Sequence, residues 1–421
     1  MALADVDLLD LDRWARDGAP HAWFHELRRE APAWRHPSPD GGRGFWVITG
    51  YDDVVALGRC PHVLSSDQDN GGVTGLGPGD ELQAVFDKTL ADLNVGGRAA
   101  SDAAKHLLTL DPPEHTAYRK IVNKGFTPRM IGLLEGRVSE LLDDLLDRHA
   151  RGEAFDLVPN VSMPLPIHVI AEMIGAHPDD HGDLVRWSNE AIASTDPEYS
   201  SGPGSQLNAV MHLVQYFSGL RAEHEAHPAG DLITTLLDAE VDGEALTNAR
   251  FMLFLILLTA AGNETTRTAI SHCVLELARH PEQWHRLKDD PGLIPAAVEE
   301  LLRYASPVMY FRRNALEAME LAGSSVEPGD IVTLWYIAAN RDEAQFDAPD
   351  HFDVGRTPNP QIAFGGGGPH FCLGASLARL EVRVLLEALV ERYDSIELAG
   401  PFERVRSNFI QGIKHLPVVL S

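Results

Sequence analysis

A mainly α protein with a smaller β-rich lobe (an α+β class) is predicted by three features of the chain. Between residues 130 and 240, apolar side chains return at helical spacing, as in Leu133-Leu134, Val138, Leu141-Leu142 and Leu145. The run Phe251 to Leu258 is apolar on every side, which marks a helix buried in the middle of the molecule. Strand-like pieces are confined mainly to residues 1–65 and 305–360. No Ser/Gly- or Pro-rich linker and no internal repeat divides the 421 residues, and 44% hydrophobic content suffices for one large core. A single domain over residues 1–421 is therefore expected.

Taken in order, Phe45-Trp46-Val47-Ile48-Thr49 reads as a strand and Tyr51 to Leu57 as the start of a helix. The glycine-rich segment 71–79 reads as a mobile surface loop. Asp111 is expected to cap a helix whose first turn accepts Pro112, Pro113 and Glu114. His115 and Arg119 are four apart and share one face of it, either to grip a pair of carboxylates or as an exposed basic face. Glu114 stands against Arg119, Lys120, Lys124 and Arg129, a local net charge of +3. That patch suits an acidic partner, or is an ordinary solvated face. Residues 188–206, broken by Asp196-Pro197 and Gly202-Pro203-Gly204, read as a flexible lid between two helices.

The central helix is expected to start at a cap formed by Thr247 or Asn248 and to end near His280, just before Pro281. It contains Ala260-Ala261-Gly262-Asn263-Glu264-Thr265-Thr266. A mid-helix glycine costs about 1 kcal/mol relative to alanine, and a buried acid costs more unless it is paired. Such a conflict inside a strong helix points to function, against the alternative of a kinked core helix with a satisfied polar notch. Downstream, Glu300 and Arg303 are three apart on a helix, while Glu299 and Arg303 at four apart would make an equally ordinary surface pair. Ser306-Pro307 breaks that helix, and Val308-Met309-Tyr310-Phe311-Arg312-Arg313 enters a strand. Pro328-Gly329-Asp330 is a turn ahead of a strand from Ile331 to Ile337.

Composition excludes several classes. A net charge of −27 argues against a general nucleic-acid role. Three scattered cysteines (Cys60, Cys273 and Cys372) cannot form a disulfide framework, and the longest apolar run falls far short of a membrane span. The N-terminus has neither a basic nor an apolar leader region. A cytoplasmic protein without membrane association is expected.

The chemistry centres on Ala363-Phe364-Gly365-Gly366-Gly367-Gly368-Pro369-His370-Phe371-Cys372-Leu373-Gly374, followed by a helix-forming run from Ala375. A helix N-terminus pushes a nearby sulfur towards thiolate. Glycines allow close approach to a large flat partner, and Phe364 can shield the cysteine. Together these make a bed for one thiolate ligand to a planar cofactor, as in a haem-thiolate centre. A phosphate loop lacks its Gly-Lys-Ser/Thr, and a zinc site lacks a second cysteine pair. A plain glycine loop capping a helix beside a buried cysteine is the bland alternative.

The segment resembles the haem-binding signature of cytochrome P-450 monooxygenases, with Cys372 matching the axial iron ligand and His370 and Gly374 matching their places. Phe364 stands eight residues before the cysteine, where the usual pattern has seven. The extra glycine resembles a bacterial subgroup that oxidises steroids and methyl-branched or isoprenoid lipids. The resemblance implies the P-450 fold, with haem b between the long central helix and the cysteine loop. It implies that His115, Arg119 and Arg313 hold haem propionates, with Arg312 competing for the last place and His370 beside it. It implies an oxygen-activation site in which Ala261 and Gly262 make room for O2 and Glu264 and Thr265 relay protons. Glu300, Arg303 and Arg356 match a buried structural triad. Leu257, Leu258, Val308, Met309, Phe311, Phe409 and Ile410 are the expected substrate-pocket residues, the last two on a hairpin tip, and segment 71–79 is expected to cover that pocket. The implied activity is hydroxylation of an unactivated C–H bond of a hydrophobic terpenoid, steroid or branched lipid by a monomer. Electrons would come from NAD(P)H through a ferredoxin reductase and a ferredoxin. A peroxide-driven haem-thiolate enzyme, a non-catalytic haem sensor or carrier, and a zinc or nucleotide enzyme are the rival readings.

Overall fold

The computed structural model describes residues 5–39, 41–73, 76, 105–192, 196–199, 204–229, 231–241 and 243–421. Most of the glycine-rich segment 71–79 therefore lies outside the described residues, as do parts of the expected lid. The helices that position the site are α1 (Glu114–Val122), α2 (Glu135–Leu146), α3 (Pro164–Met173), α4 (His181–Ile192), α5 (Ser205–Ala226), α6 (Asn248–Arg279), α7 (Ile294–Ala305) and α8 (Ala375–Arg392).

The central helix α6 runs unbroken through 32 residues, straight across the polar notch in sequence. The Thr247 side chain caps it by accepting the Arg250 N–H, which decides between the two expected caps. Helices α3, α4, α5, α7 and α8 all pack against α6, and its apolar first half is buried on every side as far as Ile256. Gly262 permits the approach of α3, because a Cβ there would stand 2.6 Å from Ile170 Cδ1. Its small size is thus taken up by helix packing, a use the sequence reading did not foresee.

The β-rich part centres on a five-stranded sheet of β1 (Ala33–His36), β2 (Phe45–Ile48), β3 (Leu64–Ser65), β4 (Tyr310–Ala315) and β5 (Ile331–Trp335). The spatial order is β1-β2-β5-β4-β3, with β5 parallel to β2 and the other pairs antiparallel. Residues from both ends of the chain thus share one sheet, in register Val332↔Arg313 and Thr333↔Arg312. Strand β5 stops at Trp335, two residues before the expected end, because Tyr336–Ala339 turns into a short helix.

Two local expectations are corrected. Asp111 does not cap α1: its carboxylate accepts the Ser66 N–H (2.9 Å) and the Ser65 hydroxyl, tying the segment before α1 to β3. Leu133 is 71% exposed, whereas Val138, Leu141, Leu142 and Leu145 are buried as their spacing predicts. The described middle of the expected lid, residues 196–199, is anchored: buried Asp196 accepts the Arg406 and Glu198 N–H groups, each at 3.0 Å.

Candidate active site

The cysteine loop is shaped by its glycines. Gly365, Gly367 and Gly368 adopt positive φ (93°, 95° and 82°), which side-chain-bearing residues rarely do. A Cβ on Gly366 would meet the Val55 backbone at 2.8 Å, and one on Gly368 the Gly58 carbonyl at 2.7 Å. The Arg59 Nε donates to the Gly366 carbonyl at 2.9 Å. These glycines therefore seat the loop on the helix Tyr51–Gly58, and the close approach they allow is to protein backbone. That corrects the reading of Gly366 and Gly368 as a bed for a flat ligand, while a Cβ on Gly365 would have only an ordinary contact with the Phe371 Cα at 4.0 Å. Gly374 has no atom within 4 Å of a Cβ position.

Cys372 is half-buried at the foot of α8, its N–H donating to the Phe364 carbonyl at 3.0 Å. Burial raises its thiol above the usual value, against the Gly374 N–H and the charges of Arg119 and Arg379, which act to lower it. The expected push towards thiolate at the helix N-terminus is thus present but outweighed by desolvation. The Phe364 ring lies under the Arg379 guanidinium (4.5 Å) and tilted to Phe371 (6.5 Å).

Four of the expected cofactor-binding residues meet beside this loop. The rings of His115 and His370 stand 4.2 Å apart. Arg119 Nη1 donates to the Pro369 carbonyl at 3.0 Å. Burial, and then the charges of Arg313, His115 and Arg119, hold the His370 imidazole down to about 2, and burial with Arg119 holds His115 down to about 4. Both rings are neutral at pH 7. Arg313 is buried and acts on His370, while Arg312 Nη2 is engaged with Asn314 Oδ1 at 2.7 Å on the other face of β4. The strand's alternation thus separates the two candidates, placing Arg313 with the histidines. Among the described residues, both nitrogens of His115 and Nε2 of His370 are buried without a hydrogen-bond partner. Buried polar atoms are normally satisfied, so donors left open beside two cations and a cysteine fit the carboxylate-bearing edge of a haem.

On α6, Ala261 is exposed and Leu257, Leu258, Ala260, Gly262 and Thr265 are partly so, although Thr259, Asn263, Glu264 and Thr266 are buried. Ala261 and Thr265 are one turn apart, and the Thr265 hydroxyl donates to the Ala261 carbonyl at 2.7 Å. Glu264 points elsewhere: it is buried and ion-paired with fully buried Arg267, which also donates to Asn189 Oδ1 (3.1 Å) and lies 5.2 Å over the Tyr199 ring. This i, i+3 pair was legible in the sequence, but Arg267 was not singled out.

Behind the loop, Glu300 receives Arg303 through both carboxylate oxygens (2.7 and 2.8 Å), Arg356 Nε (3.0 and 3.1 Å), Asn359 Nδ2 (3.1 Å) and the Asp353 N–H (3.0 Å). Arg303 also donates to the carbonyls of Asn340 and Pro349. Glu299 is not its partner; it pairs with Arg379 at 2.6 and 2.9 Å and accepts from Gln361.

Comparison with known proteins agrees with this architecture. The family model described as Cytochrome P450 matches residues 208–290 and 292–403. The chain is 36% identical to linalool 8-monooxygenase of Pseudomonas putida, over 98% of each chain. It is 38% identical to the methyl-branched lipid omega-hydroxylase of Mycobacterium tuberculosis (strain H37Rv), over 100% of this chain and 95% of that one. This chain belongs to the cytochrome P450 family. A Mycobacterium marinum cytochrome P450 solved in complex with pseudoionone superposes with a TM-score of 0.88 at 34% identity, covering 99% of this chain and 98% of that one. The protein is thus a cytochrome P450 monooxygenase, a family that uses haem-thiolate iron and O2 and draws electrons from redox partners. Among the described residues, no helix is long and apolar enough to cross a membrane.

The expected pocket residues divide. Phe311 and Phe409 are partly exposed, with ring centroids 5.4 Å apart, and Val308 is partly exposed and bridged to Ile410. Met309 does not face a pocket: it is 1% exposed and packs with Trp14, Trp23, Phe24 and Trp335 in an aromatic core under the N-terminal helices. Ile410 is nearly covered at 7%.

Proposed function

We propose that this cytochrome P450 hydroxylates an unactivated C–H bond of a terpenoid, steroid or methyl-branched lipid. One atom of O2 enters the product and the other leaves as water, at the expense of NAD(P)H oxidised through a ferredoxin reductase and a ferredoxin. The observation that carries the reading is the buried His115–His370 pair, three of whose four ring nitrogens have no partner among the described residues, set between Arg119 and Arg313 beside Cys372. In this reading those four side chains hold the two carboxylates of haem b, and the Cys372 sulfur binds its iron. Once bound, the haem supplies the oxygen-activating chemistry.

The chain's own residues do the rest. Thr265 Oγ1 holds a proton one turn from Ala261, and in this reading Glu264, which is paired with Arg267, joins the relay when it leaves that partner. Leu257, Leu258, Val308, Phe311 and Phe409 offer an apolar lining that excludes water and suits a branched hydrocarbon. The substrate class is further supported by linalool and methyl-branched lipids in the names of the relatives. A ferredoxin partner is supported by exposed Lys120, Lys124 and Arg129 next to exposed Met130 and Leu133. Arg119 leaves that patch to turn inward and Glu114 pairs with Arg250, so the outward charge remains +3. A monomer in the cytoplasm, with its three cysteines free, completes the proposal.

Reducing the haem-loaded protein under carbon monoxide is expected to give the long-wavelength Soret band of sulfur-bound haem, and Cys372→Ala to lose it. A Cys372→Ala protein that keeps the band overturns the assignment. Thr265→Ala is expected to consume NAD(P)H with little product. Coupling equal to the parent protein would remove Thr265 from the proton path. Terpenoids, steroids and branched fatty acids are then compared by the shift each induces in the haem absorption.

A further inference from the structure

A cavity of about 480 Å³ opens near the C-terminal end of α6, bordered by the end of the helix Leu11–Asp17, the last turns of α6 and α7, and the strand Glu403–Arg404. No residue of the cysteine loop lines it. Three guanidiniums converge there, those of Arg279, Arg341 and Arg404, and all three act on the buried Glu276 carboxyl and His272 imidazole. In a chain with 35 Lys and Arg against 62 Asp and Glu, three arginines around one cavity call for a counter-charge.

The protein supplies little of it. The Arg404 side chain makes no hydrogen bond or ion pair among the described residues, although the Glu276 and Asp17 charges act on it; it lies 4.6 Å over the Phe402 ring, and Arg279 lies 4.9 Å over the same ring. The nearest carboxylate to Arg279 is Glu276 at 3.7 Å, and burial raises the pKa of that acid, which weakens it as a counter-ion. Arg341 is met by Asp350 (3.3 Å), which His25 also engages, and its Nε remains buried without a partner. His21, neutral through burial, likewise has Nδ1 unpartnered. Three carboxylates share the lining, but Asp17 is bound to Arg16, Asp350 to Arg341 and His25, and Glu276 approaches Arg279 only to 3.7 Å, so the Arg279 and Arg404 donors stay open, and the side chain of Arg279, 42% exposed, lies at the opening to solvent.

We propose that this cavity binds a small multivalent anion, a di- or tricarboxylate or a phosphate compound, between Arg404 and Arg279. Forked guanidiniums match the paired oxygens of either group. The bound anion ties the C-terminal hairpin, whose Ile410 bridges Val308, to the last turns of α6.

Citrate and pyrophosphate are titrated separately into the haem-loaded protein by isothermal calorimetry, with ionic strength held constant by sodium chloride. Saturable one-to-one uptake is expected of at least one probe, citrate alone marking a carboxylate site and pyrophosphate alone a phosphate site. Arg404→Gln and, independently, Arg279→Gln are each expected to weaken it by roughly tenfold or more. Arg137→Gln, which removes an equal charge from the exposed pair with Glu172, is expected to leave it unchanged. Absence of saturable uptake of both probes by the parent protein overturns the proposal, and so does equal weakening by Arg404→Gln and Arg137→Gln.

Discussion

Two buried cationic clusters, one around Glu300 and one around His115 and His370, are built on opposite principles. In the Glu300 cluster, one carboxylate accepts from two arginines, an asparagine and a backbone N–H, and Arg303's remaining donors go to carbonyls. In the His115–His370 cluster, two cations and two neutral imidazoles meet, and among the described residues no carboxylate lies between them and three ring nitrogens lack partners. The first is closed and holds the chain together. The second is left open, and that is the property a ligand site requires: its donors are complete only when something anionic joins them.

Breaking the closed cluster should have the largest effect. Glu300→Ala leaves two guanidiniums in the interior with no counter-charge, and removing one partner of such a buried pair costs about 3–5 kcal/mol. The expected result is a protein that accumulates unfolded and retains no haem, seen as loss of the cooperative thermal transition. A normal transition in the apoprotein would show that the network is dispensable.

The open cluster should respond the other way round. His115→Phe and Arg119→Gln remove a donor or a charge that is unsatisfied or only partly used in the chain alone, so the apoprotein's melting temperature should hold steady or rise. Haem retention should instead fall by about 10–100-fold, which corresponds to ~1.4–2.7 kcal/mol of lost charge-assisted hydrogen bonding. Transfer of haem to an acceptor protein measures it. If apoprotein stability and haem retention fall together, the two clusters do not differ in kind.

The same contrast explains which parts of the molecule are legible in the sequence. The cysteine loop and the α6 notch stand out because each breaks a local rule: four glycines in a row, and polar groups in an apolar helix; Glu300 is separable from Glu299 as the partner of Arg303 only through the family resemblance. The caps and ends of α6 are equally local, and Thr247 and Pro281 mark them. Long-range packing is not local. Nothing near Gly366 says that its missing Cβ accommodates Val55, more than 300 residues earlier in the chain. The strand around Met309 reads as one apolar run, and only the N-terminal aromatic cluster determines which side chain is core and which faces open space. Asp111 has all the marks of a helix cap, yet Ser65 and Ser66 compete for it successfully because β3 brings them alongside. Arg312 and Arg313 become distinguishable once the pairing of β4 with β5 sets which one faces the histidines.

The smallest effect is expected where the two clusters adjoin, at the Glu299–Arg379 pair. Its side chains are 29% and 36% exposed, so solvent screens the pair, and Arg379→Gln should cost under about 1 kcal/mol of stability. The same guanidinium lies over Phe364 and is one of the charges that lower the Cys372 thiol against its burial. Removing it should therefore raise that thiol further and reduce the thiolate fraction at any given pH. In the apoprotein, alkylation of Cys372 by iodoacetamide, followed by mass spectrometry, should be slower in the variant across the alkaline range, with its pH profile displaced upward. The fold should be unaffected, as judged by an unchanged melting temperature. An unchanged alkylation profile would mean that Arg379 serves the Glu299 contact alone and that the charge set around the cysteine ends at Arg119.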